Sequence, residues 1–162
     1  MMVFPPGSSL APGGVIVIAN QAANFLLEFG VNPDFELVES DPGVPNMVKY
    51  LAWAAGSITL ANTGDEILIL DGNDTLLDAV SWGTSVWAFD PAVPGVAAGH
   101  SIERFPAAQD SNSALDWRDQ PVPSPGNPPV GAKLKANPRL IHRGFEGITA
   151  SPVKRIGLPT GG

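Results

Sequence analysis

Cysteine is absent from this chain, so no disulfide can staple it and no thiolate can bind a metal. Charged residues make up only 15% of its 162 positions, which implies a polar but weakly charged surface. Histidine is as scarce, two in all, and leaves a thin stock of groups for proton transfer near neutral pH. No apolar run approaches the roughly 20 residues that a membrane-spanning helix needs. The opening residues lack the basic segment and apolar core of a signal peptide. No phosphate-binding loop, dinucleotide fingerprint, metal-spaced histidine set or internal repeat occurs.

What is present is apolar and heavily punctuated. The chain is 44% hydrophobic, enough for one domain with a core, and carries 18 glycines and 17 prolines. That balance favours short strands and many turns over long helices. Charge is unevenly placed. Residues 1–128 hold fifteen acidic and three basic side chains (Lys49, Arg104 and Arg118), a net of −12. Residues 129–162 hold Lys133, Lys135, Arg139, Arg143, Lys154 and Arg155 against Glu146, a net of +5. An acidic body, 1–128, is therefore distinguished from a basic Pro/Gly-containing tail or linker, 129–162.

The clearest local signal lies at residues 56–83. Ile58-Thr59-Leu60, then a run ending in Leu68-Ile69-Leu70, then one holding Leu76, Leu77, Ala79 and Val80 read as three strands of a meander. Asn62-Thr63-Gly64-Asp65 and Asp71-Gly72-Asn73-Asp74 supply turn residues that accept positive φ and bond their own backbone. Upstream, residues 15–19 read as a buried strand. Ala23, Leu26 and Leu27 predict a short helix within residues 20–29, capped by Asn20 or Asn24 and stopped by Gly30. Residues 33–46 read as an irregular arm and 49–55 as a strand or a single turn. Residues 84–98 read as a loop, 101–105 as a further strand. After Pro121, four prolines in nine residues close the domain.

These elements resemble the lamin tail domain family, an immunoglobulin-like fold. Four motifs in order carry the resemblance. They are Leu10-Ala11-Pro12-Gly13-Gly14 before an apolar strand; Leu60, Asn62 and Gly64-Asp65-Glu66; Asp71-Gly72 followed by Leu77-Asp78-Ala79-Val80-Ser81-Trp82-Gly83; and Gly99-His100-Ser101-Ile102-Glu103-Arg104 with a closing Ser124-Pro125-Gly126-Asn127-Pro128. The likeness covers roughly residues 4–128. It implies an all-β, immunoglobulin-like β-sandwich with one short helix near the N-terminus and an irregular C-terminal tail. The family's opening E-W-I-E-L strand and D-L-S-G-W segment are not found, so the expectation is a domain whose first strands are missing. Such a domain leaves a sheet edge open to self-association.

Candidate chemistry meets blander explanations at each site. Gly99-His100-Ser101-Ile102-Glu103 is a near miss to a nucleophile elbow, because Glu103 stands where the tight turn requires glycine. Asp71, Asn73 and Thr75 mimic half of a calcium loop, but Leu76 and Trp82 occupy the positions of its glycine and glutamate. Asp71, Asp74 and Asp65 could form a weak calcium site; a hairpin turn explains the same residues. Asp65, Glu66, Asp71, Asp74 and Asp78 form the densest acidic run, and their flanking turns keep them solvated, away from acid–base work. Trp53, Trp82, Trp87 and Trp117 are either core and end plugs or a ligand face; Trp87 beside Phe89 is a candidate contact patch.

The sequence reading is therefore a domain with no catalytic, cofactor-binding or metal-binding residues. It is an interaction or adhesion module, bacterial in style, of a larger extracellular or cell-envelope protein, with a protein or cell-surface partner. Its expected binding face is a sheet edge or the 84–98 loop. The alternatives are a nucleic-acid-associated module working through its basic tail, or an accessory domain of a secreted nuclease or phosphoesterase.

Overall fold

Ladders no wider than two strands carry the described part of the chain, with one short α-helix among them. The computed structural model describes residues 1–52, 56 and 58–129. The expected tail, residues 129–162, lies outside the described residues from position 130 on, as does Trp53. No helix among the described residues is long and apolar enough to cross a membrane.

β1 (Met2–Val3) pairs antiparallel with β4 (Val48–Lys49). β2 (Ile18–Ala19) and β3 (Phe35–Glu36) run parallel, joined by α1 (Ala22–Phe29). β3 is held on both sides, because Glu36 also donates to the Pro45 carbonyl and accepts from Met47 N–H. The strand expected over residues 15–19 is shorter than expected, with Val15 and Ile18 nearly half exposed. The cause is local: the Asp34 carboxylate takes the Val17 N–H at 2.7 Å, and the Val17 carbonyl accepts from both Asp34 and Phe35.

The helix appears where the spacing puts it and ends at Gly30, left-handed at φ 74, whose N–H returns to Leu26. Its start differs from expectation. Gln21 is the first flanking residue and offers no side-chain cap, and neither Asn20 nor Asn24 fills the role. The missing acceptor comes from fourteen residues away. Glu36, fully buried, receives the Ala22 N–H on one carboxylate oxygen at 2.8 Å. The Ser40 hydroxyl donates to the same oxygen at 2.6 Å and itself accepts the Ala23 N–H at 3.0 Å. The other oxygen accepts the Ser40 and Asp41 N–H groups at 2.9 and 3.2 Å. A buried carboxylate at a helix N-terminus, surrounded by donors, is favoured by both dipole and hydrogen bonds.

The hairpin is present. β5 (Gly64–Leu70) and β6 (Leu76–Gly83) pair antiparallel from Gly64 opposite Gly83 to Leu70 opposite Leu76, with a shift of register after Ile69. Asp71 accepts the Asn73 and Thr75 N–H groups at 2.8 Å each, and Asp74 sits at φ 64, a conformation Asp tolerates. Leu68 and Leu70 point inward and are buried, while Ile67 and Ile69 remain about 40% exposed. Each buried leucine stabilises the fold by about 2 kcal/mol.

The expected third strand of the meander does not form: residues 58–60 are irregular. Side chains hold the next residue out of register, since Ala61 gives its N–H to Asp65 and its carbonyl accepts the Trp82 indole. The far edge of β6 is covered instead by Val93, which donates to Ser81 and accepts from Gly83. Phe89 and Val93 are buried, and the buried Ser81 hydroxyl accepts the Phe89 N–H at 3.1 Å. The loop at 84–98, whose Trp87 and Phe89 are expected to fold over an end of the core, thus supplies core through Phe89 and Val93.

β7 (Ser101–Arg104) pairs antiparallel with β8 (Trp117–Gln120), placing Arg104 opposite Trp117. Before β8, buried Asp116 gathers the Gln109 amide at 2.7 Å and the Ser111 N–H and hydroxyl at 2.6 and 2.8 Å.

Candidate functional site: an aromatic groove with a proline-rich wall

A groove of about 470 Å³ opens between α1, the β7–β8 ladder and residues 123–129. Phe25 and Phe29, one helical turn apart, share the helix face that lines it, with ring centres 4.6 Å apart. Ile102 and Arg104 come from β7 and Trp117 from β8. The Arg104 guanidinium lies over the Trp117 ring at 4.7 Å from its centre and reaches Asp78 of β6 at 2.5 Å. One side chain thereby ties the β7–β8 ladder to the hairpin.

The proline-rich wall, residues 123–129, is built by backbone geometry. Asn127 N–H closes a turn onto Ser124, Gly126 adopts φ 78 beside Val17, and the Pro129 carbonyl accepts the Ala107 N–H. Proline fixes φ and removes donors, so this wall is stiff and presents ring methylenes and carbonyls. Of the residues that line the groove, Arg104 and Trp117 each keep one donor, Nε and Nε1, sheltered from solvent with no acceptor among the described residues. A sheltered donor without an acceptor costs about 1–3 kcal/mol.

Three carboxylates of the structure are held in the ionised form. Burial alone would raise the Glu36 pKa; the Ser40 hydroxyl and the N–H groups of Ala22, Ser40 and Asp41 outweigh it and bring it from 4.5 down to about 2. The Thr75 and Asn73 N–H groups hold the Asp71 carboxyl below its usual range. The Gln109 amide and the Ser111 N–H do the same for Asp116. Asp71 and Asp116 are consumed by their own loops, and Glu36 by the start of α1 together with Ser40 and Asp41, which makes all three architectural.

The residues singled out from sequence do not converge. His100 sits at the entry to β7 with Nδ1 2.9 Å from both oxygens of Asp119, while His142 lies outside the described residues. Asp65 and Asp71 accept from nearby backbone, Glu66 accepts the Ser85 hydroxyl at 2.8 Å, and Asp78 holds Arg104. No group of three or more possible metal-binding side chains gathers among the described residues. Trp82 and Trp87 are half-buried and Phe89 is buried, so the candidate Trp87–Phe89 patch does not stand open. The groove went unread in the sequence. Its signals were Phe25 and Phe29 four apart and the prolines after Pro121, both visible but in separate segments.

A scan against protein-family models found no match, and neither did searches of curated proteins and of solved structures.

Proposed function

We propose that this chain is a non-catalytic interaction module, a lamin-tail-like β-sandwich domain of a larger extracellular or cell-envelope protein, and that the aromatic groove is its binding face. The observation that carries the reading is the groove's chemistry. It offers aromatic rings, proline rings and an aliphatic strand residue, with one cation already committed to Asp78. Surfaces of this kind hold extended apolar peptide segments, because ring faces give contact area at small entropic cost. The larger setting rests on the sequence resemblance to the lamin tail domain family, whose motif residues Gly64-Asp65-Glu66, Asp71-Gly72 and 77–83 lie in the hairpin.

The test uses an array of extended apolar and proline-rich peptides against the whole chain and a Phe25→Ser/Phe29→Ser variant. Peptide binding that disappears in the variant is expected. Binding that survives the double substitution, or an array with no binder at all, overturns the groove as the binding face. A phosphoester-hydrolysis screen with the chain and with His100→Ala addresses non-catalysis, and activity that vanishes with His100→Ala overturns it.

A second reading rests on the six basic residues of 129–162 against the acidic body. Binding to single- and double-stranded DNA across a salt series, with and without Lys133→Glu and Lys135→Glu, decides it: steeply salt-dependent, charge-dependent binding supports nucleic-acid association.

A further inference from the structure

We infer that the groove's occupant in the resting protein is this chain's own continuation, residues 130–135. The inference rests on the groove being the binding face. The described chain ends at Pro129, which itself lines the groove and is fastened there through its carbonyl to Ala107. The next residues are Val130-Gly131-Ala132-Lys133-Leu134-Lys135. Their apolar members alternate with glycine and lysine. Extended, this segment spans about 20 Å and presents Val130, Ala132 and Leu134 on one face, Lys133 and Lys135 on the other.

That pattern fits the site on three counts. The apolar face matches Phe25, Phe29, Ile102 and Trp117. The lysines belong to a tail of net +5, which a body of net −12 attracts. The segment's backbone carbonyls are acceptors of the kind that Arg104 Nε and Trp117 Nε1 lack among the described residues. Tethering supplies a high local concentration, so weak contacts suffice and a foreign peptide must displace the segment to enter. The tail then acts as a competitor built into the module.

The absence of cysteine makes the test direct. In the full chain, the pair Leu134→Cys with Phe29→Cys is oxidised at low protein concentration, and the control pair is Leu134→Cys with Leu27→Cys, since Leu27 is 85% exposed on the same helix. Intrachain disulfide formation about tenfold faster in the groove pair is expected. Equal rates in the two pairs overturn the inference, and predominant interchain disulfides overturn it in favour of a second copy. Should Phe29→Cys unfold the chain, Leu134→Cys with Ile102→Cys asks the same question from the strand side. A second readout separates this inference from the function on which it rests. Leu134→Asp in the full chain is expected to strengthen array-peptide binding about tenfold. Peptide binding unchanged by Leu134→Asp leaves the groove as a binding face and removes the tail as its occupant.

Discussion

The hairpin and the β2–α1–β3 region are built on opposite plans. In the hairpin, the turn is fixed by its own residues: Asp71 holds Asn73 and Thr75, and the two strands follow in antiparallel register. In the β2–α1–β3 region the deciding group is remote. Glu36 starts a helix fourteen residues upstream and closes the loop through Ser40 and Asp41 in front of it. Local construction tolerates loss of any one contact. Construction around one buried acid concentrates the stability of a helix, a loop and a parallel ladder in one side chain.

The sharpest break between the two plans is Glu36→Ala. It strips four donors of their acceptor inside the protein and is expected to cost about 3 kcal/mol. Circular dichroism should report loss of α1, with amide exchange in β5 and β6 unchanged at first. The same asymmetry has a pH signature. The folded Glu36 carboxyl lies below its unfolded value, so its stabilisation is complete above about pH 4.5 and is lost as pH falls toward about 2. Urea midpoints measured from pH 6 to 2 should fall, and Glu36→Gln should flatten part of that fall.

Gly83→Ala tests the hairpin's open end. Gly83 sits at φ 61, and a Cβ there meets the Thr63 carbonyl. The left-handed backbone alone costs about 1–2 kcal/mol, read as a lower denaturation midpoint. Arg104→Met removes both the Asp78 pair and the stacking over Trp117 and is expected to cost about 1 kcal/mol, with a shift of Trp117 fluorescence. The smallest effect is Asp74→Gly, which relieves a positive φ of 64 at a position turned to solvent and should lie within about 0.5 kcal/mol of neutral.

What could be read from sequence follows the same division. The Asp71 turn, both hairpin strands, the helix with its Gly30 stop and β7 are coded by neighbours in the chain, and all are present. β8 has no signal in the sequence, because Trp117-Arg118-Asp119-Gln120 shows no apolar alternation and becomes a strand only by pairing with β7. The third meander strand fails because Asp65 and Trp82 capture the backbone of Ala61. Residues 84–98 read as loop since Pro91 and Pro94 break any period, yet Val93 is almost fully buried against β6. The cap from Glu36 carries no motif at all: a lone acid in an irregular stretch gives no sign that it will be buried. The groove fails to show for the same reason, its helix face and proline wall being joined only by the fold.

β6 deserves a last consequence. It is flanked by β5 on one side and by Val93 on the other, and the Ser81 hydroxyl underneath it fastens Phe89. Deuterium should therefore enter its amides later than those of the two-residue ladders at the start of the chain. A protease should cut there only after the rest of the body has opened. The centre of the hairpin is then the part of the molecule that keeps its shape longest under mechanical or thermal load, and a tag or fusion placed elsewhere leaves it undisturbed.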